Sequence, residues 1–360
     1  MEQSTDLTDE RREATGALIY DEMKNRHVNP RRIQVDAPTV ESQEVVGQPT
    51  VFYIGGHGRS GSTILAQTLG QLPGFVNVGE LWQVWSRGFR NNERCGCGQL
   101  FYSCEFWRAV GDEAFGGWDN VDVDKMVAFK PFLKGIRYTP QYALAAKTNV
   151  RSRKMNTLIE GSNLVLERFY RAIQKVSGAG VIIDSSKRYS YAVLLNLLPF
   201  ADLRVVHLVR DSRAVAYSWG RTKESPAAVG GRLMTRMSPA KASRAWSIQN
   251  YSYDFLSGFA HISRLRYEDF VSDPTLYLAE TLNNVGFDDE AGGLHNVVRG
   301  REISLSSDHT VSGNPGRFRS GNIELKPDEE WRIKMRGVDK NVVTALTAPL
   351  LLRYGYLGEK

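Results

Sequence analysis

The sequence predicts an α/β fold, a central parallel sheet flanked by helices, with a helical cap inserted into the alternation. From Pro49 onward, short β-branched runs alternate with longer amphipathic segments, the pattern of strands joined by crossover helices. Two of those runs, "GVIID" (Gly180–Asp184) and "LRVVHLV" (Leu203–Val209), are almost continuously apolar, as strands buried on both faces are. A glycine-rich stretch, "GHGRSGST" (Gly56–Thr63), sits between an apolar run and a helical one, the punctuation of a strand–loop–helix unit.

Taken in order, residues 1–48 are polar, carry Pro30 and Pro38 and show no strong apolar stripe. They read as an N-terminal extension to one domain over 49–360. "VFYIG" (Val51–Gly55) is the first strand, and a helix over Ser62–Leu72 follows, with Leu65, Leu69 and Leu72 on one face. Residues 82–175 look mainly helical and are long for a crossover, which makes them the cap. Helices are expected at Tyr189–Leu198 and Ser212–Gly220, after the second and third strands. The stretch 220–239 is rich in glycine, proline and polar residues and reads as a mobile lid. "SRLRYE" (Ser263–Glu268) is the last strand. Asp273–Pro274, an N-cap aspartate and a proline at the first helical position, opens a helix to Val285.

Composition narrows the function only a little. Of 360 residues, 42% are hydrophobic and 24% charged, an ordinary balance for a soluble domain. The net charge of +6 suggests an anionic ligand or surface without specifying one. No apolar run approaches the about 18 residues of a membrane span. The acidic, polar N-terminus lacks the features of a secretory signal, and three cysteines are no disulfide framework. A reducing cytoplasm is the expected setting. No nucleic-acid motif or long basic run is present, so no nucleic-acid partner is expected.

The loop carries the chemical signal. Gly58 and Gly61 let the backbone turn tightly and approach an anion. N–H groups near Ser60, Gly61, Ser62 and Thr63 then face a phosphate at a helix N-terminus, where the dipole also favours negative charge. Gly56 and Gly61 have the spacing of the Walker glycines, but Ser62 stands where that motif has lysine. Arg59, earlier in the loop, supplies the cation instead. A second strand–helix turn, "VVHLVRDSRAVAYSW", places Arg210 at a strand end and Ser218 two turns into a helix, the ends where open parallel sheets bind ligands.

These two motifs, in this order, resemble the sulfotransferases that use 3′-phosphoadenosine 5′-phosphosulfate (PAPS). The arginine-bearing "RSGST" is similar to that of bacterial, carbohydrate and tyrosylprotein members. The resemblance implies a P-loop-like sheet and a reaction that requires no metal, yielding adenosine 3′,5′-bisphosphate. It implies that Arg59 to Thr63 hold the 5′-phosphosulfate and that Arg210 and Ser218 hold the 3′-phosphate. "LRYEDFVSDP" (Leu265–Pro274) and "HTVSGNPGRFRSG" (His309–Gly321) resemble further family segments. The second is the loop over the nucleotide, with Arg317 and Arg319 as candidate 3′-phosphate ligands.

Sulfuryl transfer asks a protein mainly for in-line positioning and for charge stabilisation at the departing oxygen. Arg59 and Lys187, just past a buried strand end, are the candidate cations, with Ser185 and Ser186 as helpers. Glu80, in "FVNVGELWQVW", matches the family's glutamate base and is expected to be buried among Trp82 and Trp85. The acceptor is expected to be a hydroxyl of a carbohydrate, glycolipid or other small alcohol. Trp82, Trp85, Phe89 and Trp107 are candidates to line its groove, and a peripheral membrane contact stays open.

Cys95, Cys97 and Cys104 fall within ten residues. Three thiolates suit zinc, but no fourth cysteine exists and Cys-x-Cys is tight for a structural site, so reduced, packed thiols are expected ahead of a local disulfide or a metal. Two rival functions remain. A P-loop kinase or NTPase would use Asp184 of "GVIID" as its magnesium ligand. A non-enzymatic basic protein would bind an acidic surface.

Overall fold

The computed structural model describes residues 47–128, 144, 148, 153–222, 224, 225, 227, 232–256 and 262–358. The expected N-terminal extension falls almost wholly outside them, as do parts of the cap and of the lid.

The sheet has five parallel strands: β1 (Thr50–Gly56), β2 (Phe75–Gly79), β3 (Val181–Lys187), β4 (Asp202–Val209) and β5 (Ile262–Arg266), in the spatial order β2-β3-β1-β4-β5. Alternation along the strands divides the core. Val51, Tyr53, Ile182 and Val205 belong to one buried cluster, and Phe52, Ile54, Ile183 and Val206 to the other. The first cluster takes in helices α2 (Glu105–Phe115) and α3 (Arg153–Ser177) of the cap region, through Trp107, Val110, Phe169 and Ile173. The second is closed by α1 (Ser62–Leu69) and α8 (Pro274–Asn284), through Leu65, Leu69, Leu278 and Leu282.

Most elements fall where the sequence predicts them, with differences at the ends. Helix α1 stops at Leu69, and the next residue, Gly70, packs so close to Asn77 that a Cβ would lie 2.7 Å from its side chain. Strand β5 ends at Arg266, and helix α7 (Tyr267–Ser272) begins at once with Glu268 and Asp269 in its first turn, where the dipole favours acids. Helices α4 (Tyr189–Leu197) and α5 (Ser212–Gly220) follow β3 and β4 as predicted. The described part of the lid stretch includes a small antiparallel ribbon pairing Glu224–Ser225 with Arg232–Leu233.

Three parts had no counterpart in the sequence reading. They are helix α6 (Pro239–Leu256), helix α9 (Gly337–Arg353), and an antiparallel sheet of β6 (Val298–Arg299), β7 (Glu302–Leu305) and β8 (Gly321–Glu324). The expected nucleotide-covering loop is the connection from β7 to β8. It returns to the main sheet beside β2, where Val311 N–H donates to Val78 O at 2.9 Å and Glu80 N–H donates to Val311 O at 2.8 Å.

Strand β3 carries an irregularity that shapes the site. Its register against β1 runs evenly to Tyr53 opposite Asp184, then shifts so that Gly55 faces Lys187. The extra residues let β3 turn its end.

Candidate functional site

The proposed site residues lie at the C-terminal ends of adjacent strands: Gly56–Thr63 after β1, Glu80 after β2, Lys187 ending β3 and Arg210 after β4. These ends form the crevice where doubly wound sheets receive ligands.

In the loop, Gly56 has φ 126° and Gly61 φ 91°, both in the region that favours glycine. Each also sits in a tight contact. A Cβ on Gly56 would lie 2.2 Å from Leu208 O, and one on Gly61 would lie 2.4 Å from the Tyr267 ring. Gly58 serves differently from the expectation, since its φ is not positive and its missing Cβ makes room for Trp219. The Trp219 indole N–H then donates to Gly58 O at 3.1 Å. Gly61 is the N-cap of α1 and offers no side chain, so no side-chain cap satisfies the first-turn N–H groups. The Ser60 hydroxyl is buried with no hydrogen-bond partner among the described residues. Unspent donors on a buried left-handed loop are what an anionic ligand would use.

Arg210 joins the two motifs. Its Nη1 donates to Arg59 O at 3.1 Å, and its guanidinium lies 4.5 Å from the Tyr267 ring centre. Its Nη2 pairs with Asp328 Oδ2 at 2.8 Å, with Asp328 half exposed. Ser218 is buried in α5, next to the Trp219 that holds the loop.

The acid and the lysine form the centre of the site. Lys187 Nζ lies 2.6 Å from Glu80 Oε1 and also donates to Ser185 O at 2.9 Å. The Ser312 hydroxyl donates to Glu80 Oε2 at 3.4 Å. Glu80 is therefore held by a cation and a hydroxyl. Lys187 has φ 68°, held there by Gln249 Nε2 and the Tyr253 hydroxyl, which donate to Lys187 O at 2.6 and 3.0 Å. Arg59, at φ 74°, stacks 5.0 Å from the Trp219 ring centre and reaches Met234 of the lid stretch. Burial lowers the pKa of Arg59, and the charge of Glu80 partly offsets that shift. Burial likewise lowers His57 to about 4, a neutral imidazole at the base of the loop.

Six further candidates have surroundings of their own. Arg317 is buried, and its guanidinium donates to Thr310 O and Arg94 O, so it braces the β7–β8 connection, while its Nε has no hydrogen-bond partner among the described residues. Arg319 is exposed on the same connection. Trp82, Trp85 and Trp107 belong to the buried core, where Trp85 and Trp107 pack near Phe169, so these large rings fill the core shared by the sheet and the cap region; Phe89 is half-buried.

Asp184 is completely buried. It accepts from Ser186 N–H at 2.9 Å, Leu81 N–H at 3.3 Å and the Tyr170 hydroxyl at 2.8 Å, and also from the Ser186 hydroxyl. Ser186 Oγ in turn accepts from Trp82 N–H at 2.8 Å. Burial raises Asp184 to about 6 despite these bonds. Its work is to fix the turn that carries Glu80, with its oxygens already committed, so the magnesium-ligand reading loses its residue. Sequence reasoning missed Ser312, Gln249, Tyr253, Trp219 and Asp328. Ser312 and Trp219 stood in stretches already singled out.

No family model and no curated protein sequence matches the chain. Among solved structures it is similar to the sulfotransferase domain from the curacin biosynthetic pathway, with 18% identity and a TM-score of 0.44 over 84% of this chain and 97% of that one. The sulfotransferase domain from the Synechococcus PCC 7002 olefin synthase aligns with 18% identity and a TM-score of 0.41, over 86% and 97%. A sulfotransferase from Mycobacterium avium aligns with 13% identity and a TM-score of 0.39, over 86% and 77%.

Proposed function

We propose that the chain is a sulfotransferase that moves the sulfuryl group of PAPS to a hydroxyl acceptor by in-line transfer. One observation carries the reading. Of the four non-glycine residues with positive φ among those described, Lys187 and Ser312 bond the Glu80 carboxylate, and a third, Arg59, lies in the adjoining uncapped loop and feels the charge of Glu80. Left-handed backbone at bulky residues costs about 1–3 kcal/mol each and persists where function uses it.

In this reading the N–H groups of Ser60 to Thr63 and the Ser60 hydroxyl hold the 5′-phosphosulfate. Arg210 and Ser218 hold the 3′-phosphate, with the exposed Arg319 free to turn towards it. The donor supplies an activated S–O bond with a phosphate leaving group. Glu80 accepts the proton of the acceptor hydroxyl, within reach of the transfer. Lys187 orients that carboxylate and, with Arg59, meets the negative charge that develops at the departing oxygen. No metal takes part in these steps.

For the acceptor we propose a carbohydrate, glycolipid or other small alcohol, and for the protein a bacterial cytoplasm. No helix among the described residues is long and apolar enough to cross a membrane.

The test is calorimetric titration with adenosine 3′,5′-bisphosphate without added metal, set against ATP with magnesium. Micromolar binding of the bisphosphate alone, lost in Arg210→Ala, is the expected result. Preference for magnesium-ATP would overturn the reading.

A further inference from the structure

The cysteines are not alone in the fold. Cys95, Cys97 and Cys104 converge with His309, and one donor atom from each lies within 4.8 Å of all the others. Cys104 Sγ is 3.7 Å from Cys95 Sγ, 3.7 Å from Cys97 Sγ and 3.3 Å from His309 Nδ1, and Cys95 Sγ is 3.8 Å from the same nitrogen. A tetrahedral zinc with Zn–S of about 2.3 Å and Zn–N of about 2.0 Å separates its sulfurs by about 3.8 Å and each sulfur from the nitrogen by about 3.5 Å. A disulfide needs about 2.05 Å, and all three thiols are free.

We propose that Cys95, Cys97, Cys104 and His309 bind one structural Zn²⁺. Four protein ligands close the coordination sphere, which distinguishes a structural zinc from a catalytic one. Three soft thiolates with an imidazole select zinc over the oxygen-seeking cations. Binding releases the thiol protons to solvent. The fourth ligand was invisible among the cysteines because it lies 205 residues beyond Cys104.

The surroundings are built for such a site. The His309 ring stacks on Phe106 at 4.8 Å with planes 9° apart, and its backbone oxygen accepts from the Trp107 indole N–H at 3.0 Å. The stack holds the ring plane, and the backbone bond holds the segment that carries it. The loop from Cys95 folds tightly, with Cys95 N–H donating to Gln99 O at 2.8 Å and Gly98 N–H to Cys95 O at 2.9 Å. Gly96 N–H donates to Thr310 O at 2.9 Å, and a Cβ on Gly96 would lie 2.2 Å from Asp308 Oδ1. Zn²⁺ with three thiolates and a neutral imidazole carries one net negative charge. The buried guanidinium of Arg317 is bonded to Arg94 O and Thr310 O, the residues next to Cys95 and His309, and supplies a matching positive charge.

The metal would clip the start of the cap region to the β7–β8 connection. Two and three residues beyond His309, Val311 pairs with Gly79 and Ser312 donates to Glu80. The clip thus fixes a segment that touches the candidate base, and the inference stands whether or not the chain transfers sulfuryl groups.

The test is the metal content of the full chain, purified without chelator from zinc-supplemented cultures and measured by inductively coupled plasma mass spectrometry. About one zinc per chain is expected. Cys104→Ser and His309→Ala should each lose most of it, and His309→Cys should retain it. Titrating chelator-stripped wild-type chain with Co²⁺ should give the visible absorption of tetrahedral thiolate cobalt, saturating at about one equivalent. This arm decides the matter even if the variants fail to fold. A wild-type chain that carries no zinc and shows no saturable cobalt spectrum would overturn the proposal. So would zinc retained by folded Cys104→Ser and His309→Ala, or Cys104 recovered in a disulfide from fresh, unreduced protein.

Discussion

The two sides of the proposed site, one for the donor and one for the acceptor, are built in opposite ways. The donor side is a loop whose conformation comes from one continuous strand–turn–helix, Thr50 to Leu69, and whose unspent groups are mostly backbone N–H. The acceptor side is a set of side-chain contacts between distant segments: Lys187 meets Glu80 across 107 residues, and Ser312 meets it across 232. A local motif tolerates wide change in the rest of the chain, whereas a contact set depends on several segments arriving together. The donor side should therefore be sensitive to backbone changes, and the acceptor side to side-chain chemistry.

Glu80→Gln separates the two most sharply. The amide keeps the shape and the Ser312 contact but cannot take a proton, so turnover should fall by about 10²-fold or more while bisphosphate affinity stays near wild type. Steady-state kinetics beside calorimetry checks it. Near-normal turnover would remove Glu80 from the role of base, and a parallel loss of donor affinity would show that the two sides are not separate.

The reciprocal change is Gly61→Ala. It adds a methyl group 2.4 Å from the Tyr267 ring and forces alanine to φ 91°. The expected cost is about 1–3 kcal/mol in urea unfolding, with donor binding impaired beyond what the stability loss explains. Unchanged stability would mean that the loop relaxes freely, against its role as a preformed cradle.

A smaller effect sharpens the boundary of the donor side. Asp328 occupies the Arg210 guanidinium that the proposed 3′-phosphate would need. Asp328→Asn removes a competing charge, so adenosine 3′,5′-bisphosphate should bind several-fold tighter, about 1 kcal/mol. Weaker binding would show that Asp328 positions Arg210 instead of competing for it.

The same contrast explains what was legible in the sequence. "GHGRSGST" and "LVRDSRAVAYSW" are contiguous, so spacing and flanking periodicity placed Arg59, Arg210 and the helices behind them. Glu80 and Lys187 were found singly, but their ion pair depends on the shifted register of β3 and on the strand order, which no local pattern encodes. The bonds of Arg317 to Thr310 O and Arg94 O were not legible, because a loop arginine and a buried brace have the same letter. The cap tryptophans misled for a related reason, since large aromatic rings suit a groove and a core equally until their neighbours are known. Helices α6 and α9 escaped because neither concentrates its apolar residues on one face, a consequence of each being packed against more than one neighbour.

The weakest expected effect tests the base shared by both sides. Burial lowers His57 and His207 to about 4, against an ordinary value of about 6.5 in the unfolded chain. A base with a depressed folded pKa contributes stability that is complete above about pH 6.5 and lost as the pH falls towards about 4, because the unfolded state takes up protons first. Asp184, raised to about 6 by burial, works in the other direction: its contribution is present below about pH 4 and lost as the pH rises through about 6. The share of stability that the two histidines supply should therefore decline between about pH 7 and about pH 5, with Asp184 and the carboxyls of Glu268 and Asp308, also raised by burial, opposing it. His207→Gln should make that decline shallower, and Asp184→Asn should make it steeper, when urea midpoints are compared at the two pH values. His207 stacks 4.9 Å from the ring centre of Tyr253, whose hydroxyl holds Lys187 O, while His57 opens the phosphate loop. A decline that neither variant alters would mean that these buried groups do not set the acid response of the sheet ends, and that the two sides of the site respond to pH through their exposed charges alone.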